Sequence, residues 1–227
     1  TMMLPMVAQA QTERQGTIAG EIWTVANSPY VITGDILIAD LEIEAGVVVQ
    51  VGGDYTIEIG GRLVALGTAE SKITFTSGEN NESWQGLFFN FAGEDSEIAY
   101  CRVEHAATGA RFANSSPLIR HCDFVNNRNT DQDGGGVHIG FDADITFENC
   151  VFSDNEAFRG AGAYIASSGK ATFRNSTFTN NVASSQGGSG GGLRVDGTVT
   201  LENTIIANNR ASFTHGGGVY SNGTVSM

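Results

Sequence analysis

Residues 147–165 read FENCVFSDNEAFRGAGAYI: two short alternating runs, an Asn, a polar connector and a glycine-led strand. The same order recurs along the chain. IRHCDFVNN starts at Ile119, FRNSTFTNN at Phe173 and LENTIIANN at Leu201, so the copies beginning at Ile119, Phe147, Phe173 and Leu201 are almost evenly spaced. Each copy is followed by a triplet of small residues, Gly134-Gly135-Gly136, Gly160-Ala161-Gly162, Gly190-Gly191-Gly192 or Gly216-Gly217-Gly218, and then by a strand, VHI, AYI, LRV or VYS. A weaker copy, IAYCRVEHA, begins at Ile98, a shorter step before Ile119. Self-similarity at a near-constant period is the mark of stacked-repeat architectures.

Apolar residues alternate with a period of two throughout, and no 3.6-residue pattern is sustained, so the units are strands. Three short strands per coil of about 26–28 residues predict an all-β, right-handed parallel β-helix solenoid. A propeller blade would need four strands and a longer period. Collagen would need glycine at every third residue with abundant proline, and the 30 glycines here come with three prolines and no such period. In a β-helix equivalent residues stack about 4.8 Å apart, so each position becomes a column. Three columns are apolar: Ile119, Phe147, Phe173, Leu201; Phe124, Phe152, Phe178, Ile206; and Val137, Ala163, Leu193, Val219. A fourth holds small residues, Cys101, Cys122, Cys150, Ser176 and Thr204, which makes the cysteines core fillers rather than nucleophiles or ligands. Asparagines form two corner files, Asn149, Asn175, Asn203 and Asn127, Asn155, Asn181, Asn209. Asn tolerates left-handed backbone, and stacked amides hydrogen-bond along an axis. Charge alternates in one outward file, Arg120, Glu148, Arg174, Glu202, which favours in-register stacking. EAFR, residues 156–159, is then expected to be a loop thrown outward between the Asn corner and the glycines.

With 25 acidic and 12 basic residues the net charge is −13, and no Lys/Arg cluster exists to attract nucleic acid or an anionic membrane. No apolar run reaches the 18 or so residues of a membrane span. MMLPMVAQAQT, residues 2–12, carries an apolar stretch and a small-x-small pattern at Ala8-Gln9-Ala10, as at the end of an export signal. Residues 1–30 are accordingly expected to be a truncated export signal and an N-terminal capping segment, and 31–227 a single β-helix domain whose early coils, over 31–77, are smaller. The chain stops at SNGTVSM, partway through a coil, so the domain is expected to be incomplete at its C-terminus. Three cysteines exclude a full disulfide framework, and none has zinc spacing.

Phe124/Asn127 with Gly135-Gly136-Val137, Phe152/Asn155 with Gly160-Ala161-Gly162-Ala163, and Phe178/Asn181 with Gly191-Gly192-Leu193 resemble the repeats of chlamydial polymorphic outer membrane proteins. More broadly the chain resembles right-handed parallel β-helix proteins of the pectin-lyase-like superfamily, over roughly residues 31–227. In the fourth copy Ile206 stands where the motif has Phe. The resemblance implies a bacterial origin and an exported, surface-exposed passenger of the adhesin type. It is specific for architecture, and many chemistries share this fold.

Two function classes follow. A polysaccharide lyase or glycoside hydrolase needs carboxylates converging on one groove. The outward residues of the glycine-led strands are instead His138, Tyr164, Arg194 and Tyr220, with Asp196 alone joining that face. These four are a candidate glycan-binding strip, since aromatic faces stack on sugar rings. Asn129, Asp131 and Asp133 precede Gly134 like the first half of an EF-hand loop and are a candidate calcium site, although Gly140 stands where that loop's glutamate would fall. The expected function is a non-catalytic extracellular structural or adhesive module that contacts a cell-surface or matrix glycan or protein, with the polysaccharide-degrading enzyme as the alternative.

Overall fold

The computed structural model describes residues 11–78, 83–213 and 216–227. The apolar stretch and Ala8-Gln9-Ala10 of the expected export signal lie outside the described residues. Over the rest, the chain winds into a right-handed parallel β-solenoid in which 22 strands join one sheet wrapped around three faces. Among the described residues no helix is long and apolar enough to cross a membrane, which says nothing of a β-barrel.

The register reproduces the expected columns. On the first face Phe124 pairs with Phe152, Phe152 with Phe178, and Phe178 with Ile206. On the second face Val137, Ala163, Leu193 and Val219 align, and on the third Ile119, Phe147, Phe173 and Leu201. Stacking equal rings one strand apart sets them face to face: Phe152 and Phe178 lie 4.4 Å apart at 6°, and Phe147 and Phe173 5.0 Å apart at 12°. Rings from different faces meet edge-on, as Phe152 does with Phe173 at 89°. Offset stacks and edge contacts are the favoured aromatic geometries, and each fully buried Phe stabilises the coil by roughly 1.5–3 kcal/mol.

The segment expected to be leader and cap supplies, from Thr12 onward, a rung of the same sheet. Thr12–Trp23 pairs with Tyr30–Ile43 along its length, Ile18 and Trp23 face the core, and Trp23 stacks on Tyr30 at 4.5 Å. The early coils are short: Ile36 meets its partner Ile57 after a smaller step along the chain than the one from Val137 to Ala163.

The corners differ from expectation in one detail. Asn149, Asn175 and Asn203 do adopt left-handed backbone, with φ of 54°, 51° and 48°. In the second file, however, the left-handed residue is the one before each asparagine: Asn126, Asp154, Asn180 and Asn208. That turn points the following side chains, Asn127, Asn155 and Asn181, into the interior, where they are essentially fully buried. Asn127 Nδ2 donates to Asn155 Oδ1 (3.1 Å), Asn155 Nδ2 to Asn181 Oδ1 (2.9 Å), and Asn181 Nδ2 to Asn209 Oδ1 (2.9 Å). The second N–H of Asn155 reaches Phe124 O, and its Oδ1 also accepts the Asn127 backbone N–H. A buried amide must fill both donors and its acceptor, and these do.

The polar connectors are not loops throughout. Arg128–Asp133, Glu156–Arg159, Val182–Ala183 and Arg210–Ala211 stack as a separate four-stranded parallel sheet. EAFR is therefore a strand, since a connector that follows a stacked corner lies beside its counterparts and pairs backbone to backbone. The alternating charge file is in register, but only part of it closes. Arg174 Nε meets Glu202 at 2.6 Å, whereas Arg120 Nε turns back to Glu97 at 2.7 Å in the preceding coil.

Candidate functional site: the outward column of the second face

His138, Tyr164, Arg194 and Tyr220 form one column, each paired in register with the next. Glycine geometry positions them. Gly160 has φ of +58°, and a Cβ on Gly162 would stand 2.5 Å from Gly192 O, so the entry to this strand demands glycine for both conformation and close approach. From there the alternation of the strand turns Ala163 and Ile165 inward and Tyr164 outward.

The four side chains are tied together rather than spread into solvent. The His138 ring meets Tyr164 edge-on at 4.9 Å, and the Arg194 guanidinium lies over the Tyr220 ring at 4.3 Å. Arg194 is only 8 % exposed, because its Nε donates to Asp196 Oδ1 (2.9 Å) and its Nη1 to Ser189 Oγ (2.9 Å). Tyr164 Oη donates to the other Asp196 oxygen at 3.0 Å. Burial and this bond to a carboxylate push the Tyr164 phenol up to about 12. Burial alone would raise Asp196, but hydrogen bonds from Arg194 and Tyr164 hold it below the ordinary aspartate value. Burial lowers His138, opposed by Asp133 and aided by Arg111 and Arg159, so the fold favours the neutral imidazole.

Asn129, Asp131 and Asp133 lie in the strand Arg128–Asp133, not in a loop wrapped around a point. Asn129 pairs with Ala157 and Asp133 with Arg159, with an irregularity between them. Both Asp133 oxygens accept from Arg159, Oδ1 from Nε at 2.8 Å and Oδ2 from Nη2 at 2.6 Å. A cation at 129–133 would compete with Arg159 for that carboxylate. Among the described residues no group of three or more His, Cys, Asp or Glu is placed to hold a metal ion. The Arg159 guanidinium also lies 5.6 Å from the Tyr164 ring centre. The candidate calcium segment and the candidate strip are thus parts of one chain of contacts, Asp133–Arg159–Tyr164–Asp196–Arg194–Tyr220. Sequence reasoning misses Arg159 because EAFR reads as a loop, and it finds Asp196 without its partners.

The column also continues toward the N-terminus through Arg111 and Phe88, which pair in register below His138. Sequence reasoning stops at His138 because no glycine triplet marks the earlier coil. The available signal is the spacing, since Arg111 precedes His138 by one coil length. On the opposite side of the core, the column of small residues does a structural job. Cys122 Sγ, Ser176 Oγ and Thr204 Oγ1 each share their hydrogen between the carbonyl two residues back, at 3.2, 3.0 and 3.1 Å, and one in the neighbouring coil. Cys101, Cys122 and Cys150 are free and buried, and burial pushes the Cys101 and Cys150 thiols up.

A family model described as a right-handed beta helix region matches residues 35–178 and again 85–226. No curated protein and no solved structure matches the chain. The two overlapping matches span the coils whose columns, corners and outward network are described above, and the chain belongs to the right-handed beta helix family.

Proposed function

We propose that the chain is a non-catalytic structural or adhesive module, exported and displayed outside the cell, that meets a glycan or protein through the outward column of its second face. One observation carries this reading: Tyr164 and Tyr220 are held in fixed orientations by a continuous set of ion pairs and ring contacts across successive coils. A preorganised aromatic strip lowers the ordering cost of binding an extended partner. The carboxylates of this face, Asp133 and Asp196, are each engaged by arginine, a use that suits bracing rather than proton transfer. The export assignment rests on the small-x-small pattern at Ala8-Gln9-Ala10.

A glycan and matrix-protein array probed with the 227-residue chain tests the proposal. Binding that is lost in Tyr164→Ala and Tyr220→Ala is the expected result. Turnover of pectin, alginate or a related polymer by the chain would overturn it. Melting in calcium and in chelator is expected to coincide, because Arg159 occupies Asp133.

A further inference from the structure

Arg111 stands apart from the other arginine of its column, Arg194. Arg194 reaches a carboxylate two residues further along the chain, at Asp196 just past the strand Leu193–Val195. Two residues along from Arg111 is Ala113, which offers none. Among the described residues Arg111 makes no hydrogen bond or ion pair, and its Nε is buried without a partner. Its one close polar-aromatic contact is with Phe88, over whose ring it lies at 5.1 Å. In a chain with 25 acidic residues an unpaired, partly buried guanidinium is costly to keep.

The guanidinium borders a pocket of about 160 Å³ that Phe88, Ala113, Gln132, His138 and Phe141 also line. Phe141 is 71 % exposed and turns the left-handed corner, φ 46°, that Phe91 and Asn114 turn in the two coils before it. An unpaired buried donor beside a cavity is what is expected where a ligand completes a site. Charge sets the ligand's class. One guanidinium balances one negative charge, and its planar fork fits a carboxylate with two parallel hydrogen bonds. Among the described residues the pocket has no second arginine or lysine to balance a dianion, burial disfavours the charged form of His138, and Arg159 is occupied by Asp133. The aromatic walls favour a flat apolar body behind the carboxylate.

We propose that this pocket binds a small monocarboxylate carried on a flat apolar body, with Arg111 holding the carboxylate in the role that Asp196 fills for Arg194. The proposal rests on this pocket alone and stands independently of the adhesive reading. Thermal melting of the full chain with benzoate, the neutral amide benzamide, acetate and inorganic phosphate tests it. Benzoate is expected to raise the melting temperature, and the other three to raise it less or not at all. Arg111→Met is expected to melt no lower than the parent without ligand, and to weaken benzoate binding about tenfold or more, the loss of a charge-assisted pair. Ala113→Asp, which supplies an internal carboxylate, is expected to abolish the benzoate response. The proposal is overturned if benzamide or phosphate matches benzoate, if Arg111→Met retains the response, or if benzoate on the order of 10 mM produces none. Acetate matching benzoate would overturn the apolar body. The parent-chain ligand series decides the matter even where a variant fails to fold.

Discussion

Between Tyr30 and Ile43 one unbroken 14-residue strand serves all three faces of a coil. The same circuit between Asp123 and Glu148 is divided among short strands, a left-handed corner, a glycine triplet and an extra strand in the outer sheet. The early coils are held by apolar columns such as Ile38, Ile59 and Phe89, and change face by slipping register within the strand. The later coils insert connectors, and each insertion opens the corner that follows the first face. The buried Asn file closes that corner, accepting backbone N–H groups and donating to carbonyls that would otherwise be orphaned. Longer coils with exposed excursions thus carry a continuous polar file at the corner, while the short coils combine packing with isolated serines, Ser28 Oγ accepting the Val48 N–H and Ser96 Oγ the Leu63 N–H. The Asn file adds a second effect. Because each amide donates to the next coil at a fixed position, a coil shifted by one residue would leave several buried groups unpaired, so register is specified by polarity as well as by shape.

The comparison can be broken most directly at Asn155. Replacing it by Ala orphans the Asn127 backbone N–H and one Asn127 side-chain N–H, each worth about 1–3 kcal/mol, so a loss of about 3–5 kcal/mol in denaturant unfolding is expected. Leucine should not restore it, since shape is not what the site lacks. A loss under about 1 kcal/mol would show that packing governs both halves alike.

Gly162→Ala comes next. The added methyl meets Gly192 O, and a loss of about 1–3 kcal/mol is expected from overpacking, again read from the unfolding midpoint. Acid gives a smaller effect at His138. Its pKa is lowered in the fold, so the fold favours the neutral ring and that stability is complete above the ordinary histidine value of about 6.5. It declines as pH falls below that value, until the folded form also binds a proton. Melting temperature measured from pH 7 to 5 should fall more steeply for the parent than for His138→Gln. The smallest effect belongs to the exposed pair Arg174–Glu202. The double change to Gln is expected to leave the unfolding midpoint unaltered, and a clear drop would give the outer charges a larger part than the Asn file allows.

Much of the later half is legible in the sequence because its columns repeat at a near-constant period: Phe124, Phe152 and Phe178 align by spacing alone. The outward column is legible upward from His138 for the same reason. The earlier half is harder. Its period is shorter, its strands run through corners marked only by single or paired glycines within the strand, such as Gly34 and Gly60-Gly61, with no Asn file, and the register slip between Ile38 and Asp40 erases the count. Glu156–Arg159 reads as a loop because backbone pairing to a neighbouring coil leaves no apolar alternation to follow. The left-handed residue falls on Asp154 and not on Asn155, since Asn favours both that backbone and buried amide stacking, and composition does not separate the two. Pairwise choices such as Arg120 with Glu97 depend on side-chain reach, which register alone does not determine.

The three thiols of the small-residue column have a kinetic consequence. Cys101, Cys122 and Cys150 lie one per coil in successive turns, buried and unbridged, beginning where the short early coils give way to the longer ones. A thiol-modifying reagent reaches each only when its coil opens, so the three labelling rates are local opening rates. If Cys101 labels first, unwinding spreads from the packed half into the hydrogen-bonded half. If Cys150 labels first, it travels the other way. The core filler doubles as a set of clocks spaced along the solenoid axis.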